Sequence, residues 1–161
     1  MGEKEYVYDT YCGLYCGACP VLMANEREDE EWIAVTAEQW KCKPEDLHCR
    51  GCKTEVTAAF CTNCGMRVCA REKGLEFCSE CTDYPCEMVT TFRNDNASHH
   101  SVIINNLERI KEIGGEKWLE EQKERWSCLQ CGTRFGWYTE KCSKCDTEVY
   151  NAVAEEKDLS V

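Results

Sequence analysis

Cysteine is the residue that most constrains this chain, because it occurs sixteen times in 161 residues. Many of these cysteines form Cys-x-x-Cys pairs, a spacing that lets a tight turn aim two sulfurs at one point. Four Phe and a modest set of aliphatic residues make a thin core for this length. We therefore expect cross-links to supplement the core, and disulfides, zinc ions and iron–sulfur clusters are the available kinds.

The sequence carries no sign of export or of a membrane span. Residues 1–6 lack the apolar stretch of a signal peptide, and no apolar run approaches the ~18 residues that a spanning helix requires. We therefore expect a cytoplasmic protein. In a reducing cytosol, Cys-x-x-Cys pairs act as metal ligands or redox dithiols and not as structural disulfides.

The charge of the chain indicates which partners it can bind. The formal net charge is −11 at pH 7, and each filled zinc site with four thiolates would add about −2. Phosphate groups are bound by clustered Lys and Arg. The composition therefore disfavours nucleic acid and anionic membranes, and it favours another protein as the partner.

The last two Cys-x-x-Cys pairs give the most specific signal. Cys128 and Cys131 are separated from Cys142 and Cys145 by ten residues, and the segment between them is β-prone and aromatic. A tetrahedral ion with Zn–S bonds of ~2.3 Å is held by two cysteines on each of two loops. The pattern predicts a C-terminal zinc ribbon, a β-hairpin with one bound zinc or, alternatively, one iron.

The remaining cysteines predict three further sites and about three to four zinc ions in total. The second site comprises Cys49, Cys52, Cys61 and Cys64, and the third comprises Cys69, Cys78, Cys81 and Cys86. These two crowded groups can exchange members. The fourth site contains Cys12, Cys16 and Cys19, with a distant fourth ligand such as Cys42 or Cys86.

Little in the sequence points to catalysis. The spacing of Cys12, Cys16 and Cys19 is similar to the cluster loop of radical-SAM enzymes, but the chain is too short for the βα barrel behind that loop. No catalytic triad and no phosphate-binding glycine loop is visible. The three histidines, His48, His99 and His100, can each replace a cysteine ligand, although a surface or capping role is favoured.

These patterns predict a small, metal-stabilised α+β fold. An irregular cysteine-rich domain with helices is expected over residues 1–97, and a helical connector over 98–126. The zinc-ribbon β-hairpin would occupy 127–152, and a flexible tail 153–161. Helices are predicted over 21–40, from Ser101 to Gly114, and over 116–126, because apolar residues recur there at helical spacing.

The motif string is similar to that of DUF3795, a family of cysteine-rich proteins. The stretches that carry the resemblance are residues 12–20, Trp40, 46–52, 61–70 and 72–87. The helical connector and the C-terminal cysteine pairs resemble one subgroup of the family. The resemblance implies metal binding through the cysteines and no defined activity, and Cys42 lies outside the family pattern.

Three functional hypotheses follow. The first is a structural zinc protein that presents a surface to a protein partner, since closed four-cysteine sites leave no position for substrate. The second is an iron–sulfur redox or electron-transfer protein, with a cluster on the N-terminal cysteines. The third is a nucleic-acid-binding finger that uses aromatic residues near Arg134 and Lys141, and the acidic charge makes it the weakest.

Overall fold

The computed structural model describes residues 5–159 and shows a helical protein. Residues 1–4, on which part of the signal-peptide argument rests, and the last two residues of the predicted tail lie outside this range. No helix within the described range is long and apolar enough to cross a bilayer. The α-helices are α1 (Pro20–Glu26), α2 (Glu30–Trp40), α3 (Ala59–Thr62), α4 (Gly65–Lys73), α5 (Glu87–Arg93), α6 (Ile103–Ile113), α7 (Gly115–Arg125) and α8 (Ala152–Leu159).

The helix predicted over residues 21–40 forms as two helices. Pro20 occupies the first turn of α1, where its fixed φ suits a helix start. Glu28 has a φ of 52°, in the left-handed region, and therefore breaks the helix. The Asp29 side chain then accepts a hydrogen bond from the Trp32 N–H and caps α2. The acidic run thus supplies both the break and the new cap.

The predicted α+β class and the predicted C-terminal β-hairpin are wrong. Within residues 5–159 there is no β-strand, and pairing is limited to two isolated bridges, Ser127 with Arg134 and Lys141 with Glu148. Each bridge closes one Cys-x-x-Cys turn on itself. The two turns are therefore separate loops and do not extend into a shared hairpin.

The aromatic segment between these turns does not form strands because its backbone groups bind other parts of the chain. The Trp137 N–H donates to the Ala18 carbonyl over 2.9 Å, and the Trp137 carbonyl accepts from the Ala152 N–H over 2.8 Å. The Phe135 N–H donates to the Trp126 carbonyl over 3.0 Å. With these groups occupied, no ladder of consecutive hydrogen bonds can form. Burial of Phe135 and Trp137 fixes the segment in this conformation.

Most of the apolar side chains lie in one hydrophobic cluster, here called the main core. Helices α6 and α7 supply Ile103, Leu107 and Trp118, each fully buried. The main core also contains Cys12 and Cys78 from the N-terminal half and, from the C-terminal segment, Phe135, Trp137 and Ala152. Residues from both ends of the chain therefore share one interior.

A second hydrophobic cluster, here called the α1–α2 core, lies beside the main core. It contains Val21, Leu22 and Ala24 of α1, Ile33 and Ala37 of α2, and Leu47, Cys49 and Ala58. Cys16, Cys19, Cys42 and Cys61 pack against it as partly buried residues. The N-terminal cysteines are therefore divided between two interiors.

Helix α8 lies where a flexible tail was predicted. It is held by Arg125, whose Nε donates to the Glu155 carboxylate over 3.1 Å, and by Ser98, whose hydroxyl donates to Glu156 over 3.1 Å. Ala152, the first residue of α8, is buried in the main core. These long-range contacts are not visible in the local sequence, which reads as a charged tail. The predicted domain boundaries themselves stay predictions.

Candidate metal centres

The structure brings four cysteines of the C-terminal segment to one point. The sulfurs of Cys128, Cys131, Cys142 and Cys145 all lie within 4.8 Å of one another. The Cys128 and Cys145 sulfurs are 3.6 Å apart, and those of Cys131 and Cys142 are 3.5 Å apart. Four sulfurs around one zinc ion stand about 3.8 Å apart, given Zn–S bonds of ~2.3 Å in a tetrahedron. The group therefore has the size of a site for a single metal ion.

The two halves of this group share one backbone geometry. The Gly132 N–H donates to the Cys128 carbonyl over 2.8 Å, and the Asp146 N–H donates to the Cys142 carbonyl over 3.0 Å. Gly132 has a φ of 77° and Asp146 a φ of 61°. The left-handed residue directly after each pair lets the turn direct both sulfurs inward. Gly and Asp tolerate this left-handed conformation better than most residues.

A threonine follows each turn and contacts its sulfur. The Thr133 Oγ1 lies 3.2 Å from the Cys131 sulfur, and the Thr147 Oγ1 lies 3.1 Å from the Cys145 sulfur. The Thr133 hydroxyl and then its backbone N–H lower the pKa of Cys131 to about 6. The Thr147 hydroxyl likewise lowers the pKa of Cys145. Because metals bind thiolates, these contacts favour metal binding at neutral pH.

The two threonines are functional residues that the sequence prediction missed. Both stand two residues after the second cysteine of a pair, in Cys131-Gly-Thr133 and Cys145-Asp-Thr147. Comparison of the two turns, position by position, would have revealed this repeat.

One group of N-terminal cysteines surrounds the start of α1. The Cys16 N–H donates to the Tyr8 carbonyl over 2.7 Å, and the Cys19 N–H donates to the Cys16 carbonyl over 3.0 Å. Cys49 is buried in the α1–α2 core, where Cys16, Cys19 and Cys61 pack beside it. The structure therefore brings together cysteines from three separate predicted pairs or triplets.

Burial raises the pKa values in this group. Burial first, and then the neighbouring thiolates, raise the pKa of Cys16 well above its ordinary range. Burial raises the pKa of Cys19 to about 11, and the same cause raises that of Cys61. Without a cation these thiols hold their protons, so metal uptake must displace them.

A second group of cysteines lies in the main core. The Cys78 N–H donates to the Tyr11 carbonyl over 2.7 Å, which brings Cys78 beside Cys12. Cys12 and Cys78 are buried, and Cys64 and Cys86 pack against the same cluster. Burial raises the pKa of Cys12 to about 11 and that of Cys78 to about 12. These cysteines come from three of the predicted sites, with Cys78 and Cys86 both from the third.

The predicted N-terminal sets are not brought together at the distance of a single ion. Apart from the C-terminal group, no three His, Cys, Asp or Glu ligand atoms within residues 5–159 lie within 4.8 Å of one another. Cys52, half-buried, interacts electrostatically with Cys12 and Cys64. The Cys81 sulfur, which belongs to the predicted third site with Cys69, accepts a hydrogen bond from Lys73 over 3.3 Å. The ligand sets proposed from the sequence stay predictions.

None of the three histidines, all within the described residues, joins a group of ligand atoms of single-ion size. The His99 ring stacks on Trp137 with centroids 4.0 Å apart, and its Nδ1 lies 2.6 Å from the Tyr138 hydroxyl. Burial lowers the pKa of His99 to about 3. His100 lies with its Nδ1 2.7 Å from the Asp95 carboxylate, and His48 is exposed. Cys42, half-buried, packs on the α1–α2 core.

A comparison with protein families identifies the N-terminal half. Residues 8–91 match the model of a family described as a protein of unknown function, DUF3795. The chain belongs to the DUF3795 family. This confirms the resemblance drawn from the cysteine motifs. The DUF3795 match includes both N-terminal cysteine groups and ends before the C-terminal four-cysteine group.

The other comparisons add no relative. No curated protein and no solved structure matches the chain. All sixteen cysteines, inside and outside the DUF3795 segment, are free thiols in the structure. The cysteine groups can hold a metal ion such as zinc or an iron–sulfur cluster.

Proposed function

We propose that this protein is a metal-binding protein in which Cys128, Cys131, Cys142 and Cys145 hold one structural zinc ion. The observation that carries the proposal is the convergence of their four sulfurs within 4.8 Å. A site closed by four protein ligands leaves no position for substrate, so its role is to stabilise the fold. Zinc binding of this kind contributes on the order of 10 kcal/mol to folding.

The zinc-stabilised chain serves as a scaffold for a protein partner in a reducing, cytoplasmic environment. The support is an exposed aromatic pair: Trp40 at the end of α2 is 48% exposed and Phe60 in α3 is 57% exposed. Their rings contact each other edge to face at 5.5 Å. Aromatic side chains are enriched in protein interfaces. The acidic charge adds a preference for a basic partner.

A second candidate function is that of an iron–sulfur redox or electron-transfer protein. The observation that favours it is that the N-terminal cysteines share buried surroundings, although no three of their sulfurs in the described range lie within 4.8 Å of one another. In this case zinc would occupy the C-terminal group, and iron the N-terminal half.

Metal analysis of protein purified without oxygen tests the proposal. We expect Cys145→Ser to lose one equivalent of zinc relative to the wild-type protein. Cys42→Ser is the matched control, because Cys42 lies outside the C-terminal group, and it should retain all of the zinc. A Cys145→Ser variant with unchanged zinc content would contradict the proposed site.

A further inference from the structure

We propose that Cys16, Cys19, Cys49 and Cys61 together form the binding site for one iron–sulfur cluster. This inference rests on the second candidate function proposed above, that of an iron–sulfur protein. It assigns the four cysteines that bind the cluster. It does not depend on which ion the C-terminal group holds. The ligand set differs from every set that the spacing of the cysteines suggests.

The four residues reach one place from three parts of the chain. Cys16 and Cys19 lie on the helical turn before α1, and Cys61 lies in α3. Cys49 lies two residues after Leu47, and both are buried in the α1–α2 core that the other three cysteines contact. The loop that holds Cys49 is fixed by the Val7 N–H, which donates to the Arg50 carbonyl over 2.9 Å.

Each of the four sulfurs lies near enough to the other three to interact electrostatically. After burial, the thiolates that raise the pKa of Cys16 are those of Cys19, Cys52, Cys49 and Cys61, in that order. The pKa of Cys61 is raised, again after burial, first by Cys49 and Cys19 and then by Cys52 and Cys64. Cys49 also raises the pKa of Cys19. Every pair within the group therefore interacts, as expected for four ligands around one centre.

The spacing of the group favours a cluster over a single ion. In the C-terminal group, all four sulfurs lie within 4.8 Å of one another. No three sulfurs of the Cys16, Cys19, Cys49 and Cys61 group, all within the described part of the chain, satisfy that limit. Each cysteine of a four-iron cluster binds a different iron, so its sulfurs stand farther apart than those around one zinc ion.

The division of the Cys-x-x-Cys pairs supports the same assignment. A single zinc ion takes both members of a pair, as the C-terminal group does. Here Cys49 and Cys61 lie at the α1–α2 core, whereas Cys64 packs against the main core that contains Cys12. Cys52, the pair partner of Cys49, interacts with Cys12 and Cys64 and also with Cys16 and Cys61. Ferredoxins with two clusters also divide the cysteines of one run between two centres.

The surroundings suit a cluster. The side chains of Val21, Leu22 and Ile33 form the nearby α1–α2 core and limit access of water. The backbone N–H groups of Leu22 and Val21, in the first turn of α1, lower the pKa of Cys19 and offset part of the effect of burial. Such N–H groups stabilise sulfur ligands and set the potential of a cluster.

Anaerobic reconstitution with ferrous iron and sulfide tests the assignment. The wild-type protein should become brown, with absorbance at about 400 nm and equal amounts of bound iron and acid-labile sulfide. Cys49→Ser and Cys61→Ser should each lose about four irons relative to the wild-type protein. Cys42→Ser, which alters a neighbouring cysteine outside the group, should lose none.

The zinc content of the same samples separates this inference from the proposed zinc site. Cys61→Ser should retain the zinc that Cys145→Ser loses, and Cys145→Ser should still bind iron and sulfide. Full iron content in both Cys49→Ser and Cys61→Ser would overturn the assignment. The assignment would also be overturned if the N-terminal cysteines of the wild-type protein bound zinc but no iron and sulfide.

A footprint of the wild-type protein avoids any folding defect of the variants. Alkylation of the reconstituted protein should leave Cys16, Cys19, Cys49 and Cys61 unmodified and should label Cys42. Removal of iron with a chelator should make all four reactive together. Labelling of any one of them while the cluster absorbance is intact would exclude that residue as a ligand.

Discussion

At the scale of single residues, the threonine beside each C-terminal Cys-x-x-Cys turn links local sequence to metal affinity. Thr133 and Thr147 place a hydroxyl within 3.2 Å and 3.1 Å of the Cys131 and Cys145 sulfurs. Mutation of residues that hydrogen-bond metal ligands typically lowers metal affinity by about 10- to 100-fold. The repeat of this residue in both turns indicates that the contact is part of the site.

Replacement of Thr133 by Val should weaken zinc binding by about 10-fold or more, because the Cys131 sulfur loses its hydroxyl contact and its pKa rises. Competition with a zinc chelator at neutral pH measures this change. Thr82→Val is the control, because Thr82 is exposed and distant in sequence from the C-terminal group. Equal zinc affinity in both variants would show that the hydroxyl is irrelevant.

His99 predicts a pH dependence of stability. Its pKa is lowered from 6.5 to about 3, chiefly by burial, so the unfolded chain binds a proton that the folded chain does not bind. Stability should therefore fall as the pH decreases below about 6.5. In His99→Phe this contribution is absent, and denaturation between pH 7 and pH 5 should show a smaller loss than in the wild-type protein. Identical losses in both proteins would contradict this role.

At the scale of elements, helices α6 and α7 were predictable from the sequence, and the C-terminal segment was not. Periodic apolar residues predicted the helices that form as α6 and α7, and their side chains are buried. The predicted hairpin was wrong because the pattern of Phe135 and Trp137 fits a β-strand but is also compatible with burial in the main core, where both side chains lie. Local pattern does not reveal that the Trp137 N–H binds the Ala18 carbonyl.

The left-handed residues of the two C-terminal turns give a matched pair of tests. A Cβ at Gly132 would meet no atom within 4 Å, so Gly132→Ala should lower stability through backbone strain, by about 1–2 kcal/mol. Asp146→Gly should relieve strain and raise stability by up to about 1 kcal/mol. Denaturation of the zinc-loaded proteins measures both, and changes of the same sign would contradict this explanation.

At the scale of the whole molecule, cysteine ligands and hydrophobic burial act together. The C-terminal cysteine group was predictable from the sequence, because both of its pairs are local and regularly spaced. The grouping of the N-terminal cysteines was not predictable. It depends on how Cys16, Cys49 and Cys61 approach one another around the α1–α2 core, a tertiary arrangement that residue spacing does not encode.

Loss of the C-terminal metal should affect the two hydrophobic clusters differently. In Cys145→Ser, we expect residues 127–152 to loosen and Trp137 to become exposed. The α1–α2 core contains no residue of that segment and should stay folded. Limited proteolysis should cleave the variant within 127–152 and leave 20–40 protected. Cleavage throughout the chain would show that one metal stabilises the entire protein.

The contact of Arg134 with the loop before α1 connects the two halves of the chain. Its guanidinium donates to the Gly17 carbonyl over 2.7 Å and pairs with Glu26 at 3.3 Å. Gly17 lies between Cys16 and Cys19, so a folded C-terminal segment restrains the spacing of those two sulfurs. The C-terminal metal site should therefore fill before the proposed cluster is inserted at Cys16 and Cys19. Protein produced in zinc-starved cells should take up iron and sulfide more slowly.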